Sequence, residues 1–301
     1  MKASVNFKGL TMQISTTKSP FTPVNTLTGF PALWSSLVAM SRKEITIMAR
    51  YPVEFVASFG QVFLIVAVFT LAGMTFSTSM GSGGDNSYSG VVTYGFLMFM
   101  FLSDTLWTIG FRVRMEQVQG TLEQLYLSPA SKFASLVSRV VTILLWTGLL
   151  GIVGVAVMSG LMGSLPLENP LLGLYLFIMT LAGTFGVGFA FAGLTLRLKQ
   201  AAATLANFLQ FAFMILGANF FPFSALPEPV RFFSYLIPLS YGVDSFRSTL
   251  MGYPAGYPEL APIEIEIIIV TVFGLIMPFL GYHIYRRAED GARRKGTLAE
   301  Y

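Results

Sequence analysis

The stretch LVSRVVTILLWTGLLGIVGVAVMSGL, residues 136–161, contains Arg139 as its single charged residue. A helix rises about 1.5 Å per residue, so roughly 20 residues cross a hydrocarbon core about 30 Å thick. Apolar stretches of the same kind, each with at most one charged residue, lie at 53–75, 91–111, 171–196, 204–221 and 265–285. The sequence therefore predicts an all-α membrane protein with six transmembrane helices.

The composition excludes the two obvious alternatives. Hydrophobic residues make up 54% of the chain and charged residues only 11%, which leaves too little polar surface for a water-soluble helical bundle. A membrane β-barrel would show short segments of alternating polarity rather than long continuous apolar runs. The chain contains no cysteine and one histidine, so disulfides and cysteine-based metal sites are excluded.

The basic residues predict the orientation. All but two of the 19 Lys and Arg residues lie before the first stretch, between the second and third or in the first turn of the third (Arg139), between the fourth and fifth, or after the sixth. The two exceptions are Arg231 and Arg247. The positive-inside rule then places both termini in the cytoplasm of a multi-pass plasma (inner) membrane protein. The net charge of +4 reflects this topology, and no motif indicates a nucleic-acid partner.

The segments that flank the apolar stretches predict an interfacial helix and two tails. Residues 32–50 have an amphipathic pattern that suits a helix in the cytoplasmic interface, with Arg42, Lys43 and Glu44 among its polar residues. From the pattern alone, a plain membrane-surface anchor is the preferred interpretation over a functional role. Residues 1–31 are rich in Ser, Thr and Pro and are expected to form a flexible cytoplasmic tail, and residues 288–301 a second cytoplasmic tail.

The loop between the second and third stretches predicts a short transverse helix. Gly120 ends the helix that leaves the membrane. Thr121 and Gln124 fit a capping box, and Ser128 with Pro129 fits the start of the next helix. A simple connector needs no capped helix with exposed apolar side chains, so we expect a docking surface for a cytoplasmic partner. The residues assigned to this surface are Glu116, Gly120, Thr121, Leu122, Glu123, Leu125, Tyr126 and Pro129.

The proline-rich segment 222–262 predicts re-entrant external helices between the fifth and sixth transmembrane helices. Its apolar part, residues 230–239, is too short to cross the membrane and ends at a proline. A further span here would also place the basic C-terminus outside. Asp244 and Arg247 are three residues apart and could form an ion pair. The residues assigned to this external lid are Pro222, Pro227, Pro238, Asp244 and Arg247.

Three further features concern the apolar stretches themselves. Asp104 is an intramembrane carboxylate, which is either a functional group or a local hydrogen-bond partner of Ser and Thr side chains. Glu264 and Glu266 lie at the end of a span, where we expect water to reach them. In the fourth stretch, Gly186 belongs to a face of small residues that predicts close helix packing within the protomer.

Two motifs resemble those of a known family. The pattern Glu116-x-x-x-Gly120-Thr121-Leu122-Glu123-x-Leu125-x-x-Ser128-Pro129 is similar to the cytoplasmic loop of type-2 ABC exporter permeases. The pieces PFSALP (222–227) and PLSYGVDSFR (238–247) resemble that family's external segment before the last span. The resemblance covers residues 32–287, which would form a six-span ABC transporter transmembrane domain. It is closest to the drug-resistance branch.

The resemblance implies an exporter powered by another polypeptide. Two permease subunits, identical or related, would bind two copies of a separate ABC ATPase. The chain lacks the G-x-x-x-x-G-K-[ST] pattern, so ATP and Mg²⁺ would bind to that partner, and we expect no enzymatic site or cofactor here. Membrane lipids are further partners. In the family the second and fifth spans line the path for a hydrophobic or amphipathic cargo (drug, lipid or glycolipid-like). The corresponding residues are Met98, Asp104, Trp107, Asn207, Phe211, Met214 and Asn219.

Two rival functions remain open from the residues alone. An ion-coupled secondary transporter would show several charged residues or broken helices near the membrane midplane, together with internal repeats. In the sequence, only Asp104 meets this description, and no convincing repeat is present. A non-transporting membrane assembly factor would need no capped coupling helix.

Overall fold

The computed structural model describes residues 30–68 with short gaps, 87–111, 132–162, 165–198 and 201–294. This part of the chain is helical with connecting turns and contains no strand, which confirms the all-α class. Helix α1 spans Phe30–Arg50 and packs along the helix Lys132–Met162, which contains the third apolar stretch. Residues 52–68 are helical wherever they are described.

Seven further helices follow. They are α2 (Ser87–Asp104, continued by a π-helical stretch Thr105–Phe111), α3 (Lys132–Met162), α4 (Pro170–Leu198), α5 (Ala201–Leu216), α6 (Glu228–Leu236), α7 (Pro238–Leu250) and α8 (Ile263–Arg294). Among the described residues, four segments are long and apolar enough to cross a membrane: Gly90–Gly110, Leu136–Val157, Pro170–Leu196 and Ile263–Ala292. The apolar helix α5 has 16 residues and is about 24 Å long. The count of six stays a prediction, because part of the first predicted span lies outside the described residues.

The predicted end of the fifth span (204–221) is wrong, whereas its predicted start lies within helix α5, which begins at Ala201. Helix α5 ends at Leu216, and Ala218 then has a positive φ of 45°. The side-chain amide of Asn219 donates to the carbonyl oxygens of Phe213 (3.0 Å) and Met214 (3.3 Å). The same two carbonyls also accept the backbone N–H groups of Gly217 (2.9 Å) and Asn219 (3.4 Å). Backbone and side-chain donors together close the end of the helix, so the chain turns although the sequence remains apolar.

Helix α8 is longer than predicted and packs closely on α4. A Cβ atom added at Gly281 would lie only 1.9 Å from the carbonyl oxygen of Gly186, so the two backbones are in direct contact, as the small-residue face predicts. The helix continues to Arg294, and Ala288 and Ala292 are buried. The first residues of the predicted C-terminal tail, 288–294, are therefore part of a packed helix.

Helix α2 lies at the centre of the described part. Its residues Phe101 and Ile109 share a buried apolar cluster with Phe185 of α4 and Tyr285 of α8. Helix α7 packs against α4, α8 and the first half of α2. This arrangement places the segment 222–262 against the beginnings of α2 and α8 and the end of α5.

Candidate functional site

Arg247 on α7 is the centre of a buried ion cluster. Its Nη1 donates to the carbonyl oxygens of Ala218 and Phe221, both at 3.2 Å. Its Nε and Nη2 each lie 3.3 Å from Oδ1 of Asp244, and Nη2 also donates to Oε1 of Glu259 at 2.8 Å. The predicted pairing of Asp244 and Arg247 is therefore present, but it is only part of the site. A planar guanidinium holds several acceptors in fixed directions, which a lysine cannot do.

The two carboxylates fasten the backbone around them. Oδ2 of Asp244 accepts the backbone N–H groups of Glu259 (2.7 Å) and Leu260 (2.8 Å). The carboxylate of Glu259 accepts those of Phe223 (2.9 Å) and Ser224 (2.7 Å). Both acids thus provide hydrogen-bond acceptors for backbone N–H groups that no helix or strand of the described residues pairs.

Two aromatic rings cover the guanidinium. Its central carbon lies 4.8 Å from the ring centre of Phe223 and 5.4 Å from that of Tyr257. At these distances the ring faces attract the positive charge and keep water from it. Arg247 and Asp244 are both 0% exposed, so the ion pair is fully desolvated.

Glu266, in the first turn of α8, completes the site. The prediction that water reaches it is wrong, because the end of the segment 222–262 folds over this turn and leaves Glu266 0% exposed, whereas Glu264 is exposed. Oε1 of Glu266 accepts the backbone N–H of Ala261 at 3.1 Å. Its carboxyl group lies within hydrogen-bonding reach of Asp244. We call Arg247, Asp244, Glu259 and Glu266 the Arg247 cluster.

The three prolines assigned to the lid each introduce an element. Pro222 precedes the 3₁₀ turn Phe223–Ala225, Pro227 precedes α6, and Pro238 begins α7. Proline fixes φ and lacks an N–H, which suits the first positions of a helix. The segment 222–262 thus contains short helices, and the Arg247 cluster ties α7, the 3₁₀ turn and the loop after α7 to the end of α5 and the start of α8.

Polar contacts also connect α2 to its neighbours where it becomes π-helical. Thr147 of α3 donates a hydrogen bond to Asp104, so local hydrogen bonding, one of the two interpretations of this acid, is present. On α5, Oε1 of Gln210 accepts from Nε1 of Trp107, and its Nε2 donates to Oγ of Ser103, both at 2.8 Å. The sequence analysis did not single out Gln210, although a polar residue in an apolar helix is itself a signal.

The residues assigned to the cargo path lie in different environments. Met98 is buried against side chains of α7, and Asn219 is buried in the turn after α5. Met214 is partly buried. Asn207 and Phe211 lie on an exposed face of α5, with Phe211 58% exposed. The structure therefore places Trp107 against α5 and Asp104 against α3. Met98 and Asn219, in contrast, lie inside the protomer.

The predicted coupling residues lie outside the described residues. They are Glu116, Gly120, Thr121, Leu122, Glu123, Leu125, Tyr126 and Pro129. Of the residues assigned to the interfacial helix, Arg42 is exposed on α1, and Lys43 and Glu44 belong to the same helix. The helix is confirmed, and its place at the membrane surface stays a prediction.

Long apolar helices define this chain as a multi-pass membrane protein. The family model for the ABC-2 type transporter matches residues 35–251, which is more than half of the chain. The chain therefore belongs to the ABC-2 type transporter family and is a permease subunit of an ABC transporter, a class without an ATPase site of its own. No curated protein matches the sequence significantly, so the assignment rests on the family model. The match includes Asp244 and Arg247 and ends before Glu259 and α8.

Proposed function

We propose that this chain is the membrane subunit of an ATP-driven exporter of the drug-resistance branch. It moves a hydrophobic or amphipathic cargo, such as a drug, lipid or glycolipid, out of the cytoplasm. The family match over residues 35–251 carries this proposal, because it includes the 112–131 loop with its capped-helix pattern. Two permease subunits, identical or related, assemble with two copies of a separate ATPase that binds ATP and Mg²⁺. The complex lies in the plasma (inner) membrane with both termini of this chain in the cytoplasm.

The exposed face of α5 supports the proposed cargo path. Phe208, Phe211 and Ile215 are 66%, 58% and 43% exposed and recur at helical spacing, together with Asn207. An apolar and aromatic face with a few polar groups suits a hydrophobic or amphipathic cargo. We assign Asn207 and Phe211 to the wall of this path, with Trp107 behind them.

The segment 222–262 is the external lid in this proposal. The Arg247 cluster holds α7 and the loop that follows it against the end of α5 and the start of α8. On α6, Phe232, Phe233 and Leu236 are more than half exposed, which suits contact with acyl chains of the outer leaflet or with cargo. Because the backbone of this segment is hydrogen-bonded by side chains of the cluster, it can lie at the membrane boundary without lipid-exposed polar groups.

Cross-linking to the ATPase tests the proposal. The chain contains no cysteine, so single cysteines at 122 and 125 can be introduced without removing others. Both are expected to cross-link to a copurified ATPase, whereas a cysteine at the exposed Tyr253, on the opposite side of the proposed topology, is not. Glu123→Lys is expected to abolish ATP-dependent transport in vesicles while ATP hydrolysis by the complex continues. The purified chain alone is expected to hydrolyse no ATP.

The proposal fails if neither 122 nor 125 cross-links to an ATPase, or if position 253 cross-links equally well. Transport that follows an ion gradient and ignores ATP would instead favour an ion-coupled secondary transporter.

A further inference from the structure

The Arg247 cluster is short of positive charge. It contains three carboxyl groups and one guanidinium, and Asp244, Arg247 and Glu266 are all 0% exposed, while the side chain of Glu259 is 8% exposed. The guanidinium already bonds two of the acids and two backbone carbonyls. An ionised carboxylate without a partner is costly in a buried site. At least one further positive charge is therefore needed.

The missing charge belongs at Glu266. Asp244 and Glu259 each bind Arg247 and also accept two backbone N–H groups. Among the hydrogen-bond donors of the described residues, Glu266 accepts only the N–H of Ala261. Its Oε2 is buried and has no hydrogen-bond partner among the described residues. This carboxyl group lies beside Asp244, so two carboxylates would face each other if both were ionised.

We propose that Glu266 is a proton-binding site, at which a proton on Oε2 is donated in a hydrogen bond to Asp244. The proton gives the orphaned oxygen a partner and replaces a repulsive contact by an attractive one. A metal ion fits this place poorly, because hard cations take about six or more oxygen ligands, whereas Oε2 of Glu266 is the one carboxyl oxygen without a partner among the described residues of the cluster. Among the described residues, no group of acidic side chains has a metal-binding arrangement.

The proton acts as a latch between two elements. The charged and titratable groups around Glu266 are Asp244, Arg247 and Tyr241 of α7, together with Glu259 of the following loop. Glu266 itself is in the first turn of α8, next to the segment 222–262, which we place outside the hydrocarbon core. With the proton bound, α7 and the loop close on this turn. Without it, adjacent negative charges push α7 away from α8. The inference concerns folding and does not depend on the cargo.

Thermal unfolding of the full chain in detergent at several pH values tests the latch. Glu266→Gln places an amide N–H where the proton would be, so this variant is expected to melt like the wild type near pH 4, and Glu266→Ala well below both. If a group keeps its proton in the folded state and releases it on unfolding, a rise in pH favours the unfolded state. Wild type is therefore expected to lose stability relative to Glu266→Gln as the pH rises above the ordinary glutamate pKa of about 4.3, by up to about tenfold in the folding equilibrium per pH unit. Glu264→Gln changes an exposed neighbour and is expected to follow the wild type.

Two results would overturn the proposal. The first is a Glu266→Gln variant that is as unstable as Glu266→Ala near pH 4, or whose stability depends on pH as that of the wild type does. The second is a metal dependence: if replacing Na⁺ and K⁺ by choline destabilises the wild type and not Glu266→Gln, the site holds a monovalent metal ion rather than a proton.

Discussion

Replacing Gly281 with Ala is expected to force α4 and α8 apart. The added Cβ would lie 1.9 Å from the carbonyl oxygen of Gly186, 2.7 Å from its carbonyl carbon and 3.0 Å from its Cα. An ordinary carbon–oxygen contact is about 3.3 Å, so the backbones must separate locally by about 1.4 Å. These neighbours are backbone atoms, which cannot rotate away as a flexible side chain would.

The separation affects the most extensive helix contact in the described part of the chain. A gap of 0.5–1 Å already forfeits roughly a quarter to a half of the dispersion energy between facing atoms. Overpacked substitutions cost typically about 1–3 kcal/mol. Since the opening exceeds 1 Å and spreads along a helix pair, we expect a loss near the upper end, about 3 kcal/mol.

The assay is the melting temperature of the detergent-purified chain, with Gly148→Ala as the matched control. Gly148 lies on the apolar helix α3, and an added Cβ there meets nothing within 4 Å. Removing a glycine from a helix interior gains up to about 1 kcal/mol, so the control is expected to melt at or above the wild-type temperature. If Gly281→Ala also melts there, the direct backbone contact between α4 and α8 is refuted.

Two further sets of variants test the buried polar contacts. Arg247→Met leaves two buried carboxylates without their cation and is expected to lower the free energy of unfolding by about 3–5 kcal/mol. Arg247→Lys keeps the charge, so its melting temperature is expected to lie between those of Arg247→Met and the wild type. Equal melting temperatures for all three proteins would contradict the cluster. Thr147→Val removes the donor to Asp104 and is expected to cost about 1.5–3 kcal/mol. Asp104→Asn keeps an acceptor oxygen and is expected to melt above Thr147→Val, and the reverse order would argue for a role of the charge itself.

Length, apolarity and charge were sufficient to predict the long helices, because these quantities are set by the membrane and not by tertiary contacts. The predicted spans 91–111, 136–161 and 171–196 correspond to α2, α3 and α4. The end of α5 was missed because an apolar run does not reveal the backbone turn at Ala218. Gly217 and Asn219 were the available signals, since both residue types favour helix ends.

In the candidate site, only the local part was predictable. Asp244 and Arg247 are three apart on one helix, so spacing alone brings them together. Glu259 and Glu266 join them through a loop that folds back, and no periodicity reports such a contact. A weak signal existed for Glu266, because it lies four residues before the fully buried Val270 and therefore on the same helix face.

The bonds around the Arg247 cluster also indicate where the segment 222–262 would part from the transmembrane helices if it opens during transport. Towards α8 it is held by the contact of Glu266 with Asp244 and by the packing of α7 on α8. The beginning of α7 meets the end of α5 through the bond from Oγ of Ser240 to the carbonyl oxygen of Leu216 (3.0 Å), which joins neutral groups. The bonds from Arg247 across this junction also end on neutral carbonyls, and such acceptors bind a guanidinium less strongly than a carboxylate does. Because Asp244, Arg247 and Glu259 all belong to the segment itself, their ion pairs need not break. Opening would therefore separate the segment from the turn after α5, while it stays attached to α8.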